Sequence, residues 1–222
     1  MSGRHPDRSR WQGLVALLAG LGTLGLAMPG QASAHGRAAS EFATEPASPD
    51  AQRMAAWATT TDDTHGLPFV VVDKRAARVF AYDRRGILIG ATPALIGLAR
   101  GDDIMPGIGL LRLAEIRPDQ RVTPAGRYQA HLGANLAGHR ILWVDYDAAL
   151  SLHPVVTSNV AEHRLQRLAT PTILDNRISY GCINVPARFY ETIIQPLFTP
   201  ADGVVYILPE TRPIDGLMHA PG

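Results

Sequence analysis

Short runs of β-branched and aromatic residues, separated by polar turns, recur along the middle of this chain. The first two, Phe69–Val72 and Arg78–Tyr82, flank a polar turn and are typical of a hairpin. A third run begins at Ile87 and extends towards Ile96. Further runs of the same character predict strands at Arg127–His131, Arg140–Val144, Ala149–His153 and Gly203–Leu208.

Two later segments have helical spacing instead. Ala161–Leu168 places its leucines on one face and its arginines towards solvent, and Pro186–Phe198 begins with a proline, which suits a first helical turn. The glycine-rich stretch from Gly97 to Gly109 predicts a solvated loop that includes Asp102 and Asp103, and the alternative is that these two carboxylates face a cationic group of a substrate. Many strands with two helices predict a mainly β fold.

The N-terminal residues 1–34 have the pattern of a secretory signal peptide. A basic start is followed by an apolar run of about 16 residues, which is shorter than the roughly 20 of a membrane span. Ala32-Ser33-Ala34 then fits the small-x-small rule for cleavage. We therefore expect an exported protein that starts at His35 and acts in the periplasm or cell-wall space. An uncleaved membrane anchor is the alternative.

Composition divides the rest of the chain into three parts. Residues 35–66 are rich in Ala, Ser, Thr, Glu and Pro and predict a flexible linker, with a short helix at Ala51–Ala58. Residues 67–210 form the folded domain, and residues 211–222 are expected to be a loose tail. Without residues 1–34 the chain carries 18 basic and 19 acidic side chains, which gives no indication of nucleic-acid binding. We expect a monomer without a cofactor or metal.

Cys182 is the only cysteine of the chain and lies in Ser179-Tyr180-Gly181-Cys182-Ile183-Asn184. In an exported protein such a thiol is either a small buried hydrophobe or a reactive group. A reactive thiol needs a base that favours the thiolate. We favour His153 because it closes a strand before Pro154, where its ring could project into a cleft. The other candidate bases are His65, His131, His139 and His163.

His153, followed well downstream by Ser-x-Gly-Cys-Ile-Asn, resembles the signature of L,D-transpeptidase catalytic (YkuD-type) domains. The resemblance runs from about Pro68 to Leu208 and includes the opening hairpins and the segment 123–128. It implies an L,D-transpeptidase-like β-sandwich with a few short helices. Two features depart from the family pattern: Tyr180 stands where many members have histidine, and the gap between His153 and Cys182 is longer.

The resemblance implies a cysteine acyltransferase that acts on peptidoglycan stem peptides. Cys182 would attack the carbonyl that links the third residue to the terminal D-alanine, and D-alanine would leave. The thioester would then pass to an amine, which gives a 3→3 cross-link or attaches a protein such as an outer-membrane lipoprotein. Members of the family contribute to cell-wall organisation and are acylated by carbapenems.

The same resemblance suggests roles for the residues around the thiol. His153 would be the general base, and backbone N–H groups around Tyr180, Gly181 and Cys182 would form the oxyanion hole. The side chains of Ser179 and Asn184 would hold the loop by hydrogen bonds. Arg177 is expected either to meet a substrate carboxylate or to lie on the surface.

Three other functions remain open at the level of sequence. The same acyl-thioester could be released by water, which would make the protein a carboxypeptidase or an enzyme that frees wall-linked protein. The chain could also be a non-catalytic wall-binding module in which Tyr180 marks lost activity. A zinc site from Cys182 and histidines is disfavoured because the cysteine has no second ligand nearby in sequence.

Overall fold

Ten strands form the framework of the computed structural model, which describes residues 47–219. The predicted signal peptide and residues 35–46 of the predicted linker lie outside the described residues. In chain order the strands are β1 (Phe69–Asp73), β2 (Arg78–Tyr82), β3 (Leu88–Pro93), β4 (Ile96–Gly97), β5 (Gly126–Ala134), β6 (Arg140–Asp145), β7 (Leu150–Pro154), β8 (Arg177–Ser179), β9 (Ile183–Val185) and β10 (Gly203–Ile207).

Eight strands are hydrogen-bonded into one mixed sheet in the order β3-β2-β1-β10-β5-β6-β7-β9. The remaining two, β4 and β8, form a separate parallel pair. All of the runs that the sequence predicts as strands are found in these elements. The prediction of a mainly β domain with a few short helices is therefore confirmed.

The α-helices within residues 47–219 are between three and twelve residues long. They are α1 (Pro49–Thr60), α2 (Arg164–Ala169), α3 (Ala187–Phe189), α4 (Gln195–Phe198) and α5 (Asp215–Met218), and a π-helical turn at Tyr190–Ile194 joins α3 to α4. Within residues 47–219, no helix has the length and apolar character needed to cross a bilayer.

The sheet is buried on both faces near its centre. Along β1, Val70 faces one apolar cluster and Val71 the other, as the two-residue period of a strand requires. The first cluster joins side chains from both halves of the sheet to the predicted helix after Pro186, whose Phe189 and Ile194 are fully buried. Strands from both ends of the sheet order, from β2 to β9, therefore contribute to one core.

The second cluster includes helix α1, which contains the short helix predicted at Ala51–Ala58 but is packed against the sheet instead of lying in a flexible linker. Ser48 caps α1 by accepting a hydrogen bond from the Ala51 N–H, and Pro49 occupies the first turn. Met54 is fully buried against the sheet, as are the alanines on the same face. A stripe of small side chains at helical spacing allows this close packing, whereas the alanine-rich composition suggested a flexible segment.

The predicted loose tail is also tied down over its described part. The Thr211 N–H and hydroxyl both donate to Asp102, and the Arg212 guanidinium pairs with Asp103 at 2.8 Å. Helix α5 follows, and its Asp215 pairs with Arg53 of α1 at 2.8 Å. Polar side chains that looked solvated in sequence therefore join the C-terminal segment to the domain.

Candidate active site

Cys182 lies in a three-residue loop between β8 and β9, two strands that the sequence does not predict. Each strand has only three residues, which is too short to show a two-residue period. Strand β9 runs parallel to β7, with Leu152 opposite Ile183 and His153 opposite Asn184. This register places Cys182 beside the β7 segment that contains Ser151 and His153.

Three groups of the β7 region surround the sulfur. The Ser151 hydroxyl lies 3.5 Å from Sγ, the Ala149 carbonyl oxygen lies 3.5 Å from it, and the His153 ring interacts electrostatically with the thiol. Ser151 and His153 are two residues apart in one strand and therefore share a face. The cysteine is half-buried and the serine is buried.

The electrostatics of this group favour the thiolate. Burial by itself would raise the pKa of the Cys182 thiol, but the hydrogen bond and positive charge of His153, together with Ser151, outweigh it and bring that pKa below its ordinary value. Burial likewise acts to lower the pKa of His153, and the interaction with Cys182 overcomes it and raises that pKa. The two side chains stabilise each other in the charged form.

The His153 ring has a fixed tautomer. Its Nδ1 lies 2.8 Å from the Pro154 carbonyl oxygen. Because a carbonyl only accepts hydrogen bonds, Nδ1 must carry a proton. In the neutral ring Nε2 is therefore the nitrogen with a lone pair, and it is the one that can accept a proton from the thiol.

The loop before Cys182 is held by buried hydrogen bonds. The Ser179 hydroxyl donates to the Cys182 carbonyl at 2.6 Å and accepts from the Gly181 N–H at 3.1 Å. The Thr123 hydroxyl donates to the Gly181 carbonyl at 2.6 Å. Gly181 has φ of 134°, and a Cβ on it would lie 2.8 Å from the Val122 carbonyl oxygen. Only glycine fits this approach.

Asn184 connects the loop to helix α2. Its Nδ2 lies 3.2 Å from the Cys182 carbonyl and 3.5 Å from His153 Nε2. Its Oδ1 accepts a hydrogen bond of 2.7 Å from Arg164. This helix differs from the one predicted at Ala161–Leu168. It begins at Arg164, directly after His163, whose φ is 48°. Its arginines contact other protein groups, whereas the sequence predicted that they face solvent.

An apolar pocket opens onto Cys182. Tyr180 forms part of its wall, and the Arg121 guanidinium lies 4.0 Å from the centre of the tyrosine ring. The rest of the lining comes mainly from the segment between β4 and β5 and from the start of β7, and none of it is charged: Ile104, Ile108, Gly109, Leu111, Leu113, Ile116, Val122, Pro124, Ala148, Ala149, Leu150 and Gly181.

Arg177 occupies neither of the two positions expected for it. Its side chain is buried, pairs with the Glu210 carboxylate and donates to the Gly97 and Ala99 carbonyls at 3.3 and 3.2 Å. All of its contacts anchor the start of the cysteine loop to the neighbouring segments. A substrate carboxylate would have to displace a buried ion pair.

The prediction that Asp102 is solvated is wrong, because this side chain, like that of Arg177, is buried in an ionic contact. Asp102 is buried and accepts hydrogen bonds from Lys74 at 2.8 Å and from the Glu210 N–H at 2.7 Å. Lys74, which looks like a turn residue in sequence, is fully buried and also donates to the Thr123 carbonyl at 2.8 Å. These ionic groups hold the pocket segment to β1 and the C-terminal segment.

The four other histidines that the sequence offered as bases lie on the surface. His65, His131, His139 and His163 are all exposed. Within residues 47–219, no cluster of three or more His, Cys, Asp or Glu residues is arranged to hold a metal ion. Of the residues singled out in sequence, the structure brings together Cys182, His153, Ser179, Tyr180, Gly181 and Asn184.

Sequence reasoning missed two residues of the site. Ser151 could have been found from the sequence, because it lies two residues before His153 in a predicted strand and must therefore share a face with it. Arg164 could not have been found in this way, because its contact partner Asn184 is 20 residues away in sequence and the path of the chain between them is not specified by any sequence pattern.

Comparison of the whole chain with known proteins gives likeness to solved structures only. No protein-family model matches the chain, and no curated protein sequence matches it. One similar structure is an L,D-transpeptidase from Mycobacterium tuberculosis, with 15% identity, a TM-score of 0.37, and coverage of 63% of this chain and 57% of that one.

Two further similar structures come from other organisms. The helical cell shape determining protein Pgp2 from Campylobacter jejuni has 17% identity and a TM-score of 0.41, over 66% of this chain and 49% of that one. A fused Zn-dependent amidase/peptidase/peptidoglycan-binding protein from Clostridium acetobutylicum has 14% identity and a TM-score of 0.37, over 73% of this chain and 63% of that one. The chain spans less than two thirds of each of these proteins.

Proposed function

We propose that this protein is an exported cysteine acyltransferase of peptidoglycan, an L,D-transpeptidase in which Cys182 is the nucleophile. The observation that carries the proposal is the position of the Cys182 thiol, which lies beside Ser151 and His153 of one strand and lines an apolar pocket. The order of the motifs around His153 and Cys182 in the sequence supports the substrate class.

The proposed reaction begins with the thiolate. Cys182 Sγ attacks the carbonyl carbon that joins the third residue of a stem peptide to D-alanine, and His153 holds the thiol proton. The tetrahedral intermediate collapses when His153 gives this proton to the departing amine, which leaves as D-alanine. An acceptor amine then attacks the thioester, loses a proton to His153 and releases the Cys182 thiolate.

The oxyanion of the intermediate needs N–H donors that point at it. The Gly181 N–H already donates to the Ser179 hydroxyl. The N–H groups of Tyr180 and Cys182 are therefore the proposed donors, and Ser179 sets the turn that presents them. Tyr180, at the position where many family members have histidine, forms part of the pocket wall, and His153 alone supplies the base.

Incubation of the purified chain with tetrapeptide muropeptides, followed by mass spectrometry, tests this function. Loss of D-alanine with formation of cross-linked dimers supports transpeptidation, and loss of D-alanine with tripeptide monomers alone would make the protein a carboxypeptidase. A supplied lipoprotein that gains a stem peptide would identify a protein acceptor. Identical, unchanged substrate with wild type and with Cys182→Ala would contradict every enzymatic function proposed for this site.

A further inference from the structure

Arg164 reaches into the site from outside the motifs that identify it. It is the first residue of α2, in the long connection between His153 and Cys182. Its Nη1 donates to Asn184 Oδ1 at 2.7 Å, and its Nε pairs with the Glu162 carboxylate. The side chain is 11% exposed. This burial and the two anchoring contacts make the position of the guanidinium well defined.

The contact fixes the orientation of the Asn184 amide. A guanidinium only donates hydrogen bonds, so the amide oxygen must be the atom that faces Arg164. The NH₂ group then points to the opposite side, where Nδ2 lies 3.2 Å from the Cys182 carbonyl and 3.5 Å from His153 Nε2. A rotated amide would present its oxygen to the histidine instead.

The orientation of this amide affects which form of His153 is favoured. An NH₂ group beside Nε2 favours a ring whose Nε2 has a lone pair, whereas a carbonyl oxygen there would favour a protonated Nε2. The Pro154 carbonyl already keeps the ring proton on Nδ1. Together the two contacts favour the neutral ring that carries its proton on Nδ1, and the NH₂ group disfavours a proton that stays on Nε2.

We propose that Arg164 is a positioning residue for the reaction at Cys182, because it holds the Asn184 amide with its NH₂ group towards Nε2, which keeps His153 able to give up the thiol proton to the leaving amine. The inference rests on the proposed function for its substrate, but the state of the His153 ring that it describes can be followed on the free protein. Arg164 acts on His153 through Asn184 and need not touch the substrate.

The charge of Arg164 works in the same direction as the amide. Its positive charge acts to lower the pKa of His153, while Cys182 acts on the ring in the opposite sense. Glu162, the ionic partner of Arg164, partly offsets the guanidinium charge. Loss of Arg164 should therefore favour the imidazolium and make His153 a poorer donor of its proton to the leaving amine.

The first test needs no substitution in the protein that is measured. ¹⁵N NMR of the wild-type histidine rings, with the His153 signals assigned by their loss in His153→Ala, reports the tautomer of the neutral ring. We expect a proton on Nδ1 and none on Nε2. A neutral ring protonated at Nε2 would mean that the amide faces the other way, and it would overturn the proposal.

The second test compares two arginines of the same helix. Arg164→Gln should move the His153 titration midpoint to higher pH and slow acylation of Cys182 by imipenem about tenfold. Arg164→Lys, which keeps the charge and a donor, should stay within about threefold of wild type. Arg167 donates to the Glu162 and Asp175 carbonyls at 2.8 and 3.0 Å, so Arg167→Gln is the control and should leave the midpoint unchanged.

These outcomes separate the inference from the proposed function. An unmoved midpoint in Arg164→Gln, or an equal shift in Arg167→Gln, overturns the role of Arg164. If imipenem acylates no form of the protein while the midpoint moves as expected, the proposed function fails and the positioning role stands. If Arg164→Gln does not fold, Asn184→Ala removes the amide through which Arg164 acts and should move the midpoint to higher pH, and an unmoved midpoint in that variant overturns the proposal.

Discussion

The Ser151 hydroxyl lies 3.5 Å from the Cys182 sulfur, on the same face of β7 as His153. This places a neutral donor and a titratable base side by side against one thiol. The hydroxyl can donate to the thiolate at any pH, whereas the histidine stabilises it by charge only while the ring is protonated. The two residues should therefore have separable effects on the reactivity of Cys182.

Ser151→Ala should raise the thiol pKa and slow alkylation of Cys182 by iodoacetamide about threefold at pH 7, because one hydrogen bond to the thiolate is lost. At a pH well above the thiol pKa the variant and the wild type should react equally fast. Ser158, which is exposed, provides the control Ser158→Ala. Since Cys182 is the only cysteine, the alkylation rate reports this site alone, and a loss that persists at high pH would show that Ser151 acts by another route.

His153→Ala should have the larger effect. With the histidine absent, burial of the thiol acts with less opposition and raises its pKa, so the curve of alkylation rate against pH moves to higher pH. Each unit of that displacement lowers the rate at pH 7 about tenfold. His131→Ala removes an exposed ring and should leave the curve in place. A His153→Ala curve that overlays the wild-type curve would remove His153 from the mechanism.

Much of this site could be predicted from sequence because its residues lie in short, local patterns. Cys182 and Gly181 stand in one motif, and His153 ends a strand whose alternation is visible. The contacts of Arg177 and Asp102 could not be predicted, because their partner Glu210 is distant in sequence and charged residues in glycine-rich or polar stretches usually face water. The short helix predicted at Ala51–Ala58 is present in α1, but its packing against the sheet could not be predicted because alanine suits both a linker and a tightly packed helix.

The burial of Asp102 leads to a prediction about stability. Its burial opposes ionisation, but hydrogen bonds from Lys74, Thr211 and the Glu210 N–H hold the pKa of the carboxyl well below its ordinary value of 3.8. Asp102→Asn leaves the buried Lys74 ammonium without its closest ionic partner. The free energy of unfolding at pH 7 should fall by about 3 kcal/mol.

The pH dependence of this effect follows from the sign of the shift. A carboxyl whose pKa is depressed by folding stabilises the protein above its unfolded-chain pKa and loses that contribution as pH falls towards the folded value. The difference between wild type and Asp102→Asn should therefore shrink below about pH 4. Urea unfolding at pH 7, 5 and 3 measures it, with the exposed neighbour Asp103→Asn as the control. A difference that stays constant over this range would contradict the role of the ionised carboxylate.

The uncharged lining of the pocket predicts how reagents approach the thiol. Leu113 lines the pocket, whereas Leu110, three residues earlier, is 90% exposed and lies outside the lining. A lysine at position 113 should attract anions towards Cys182, because a charge beside a partly desolvated thiol is weakly screened. Leu113→Lys should raise the ratio of the iodoacetate rate to the iodoacetamide rate about threefold, and Leu110→Lys should change it little. Equal ratios in the two variants would mean that reagents reach the sulfur by a path other than this pocket.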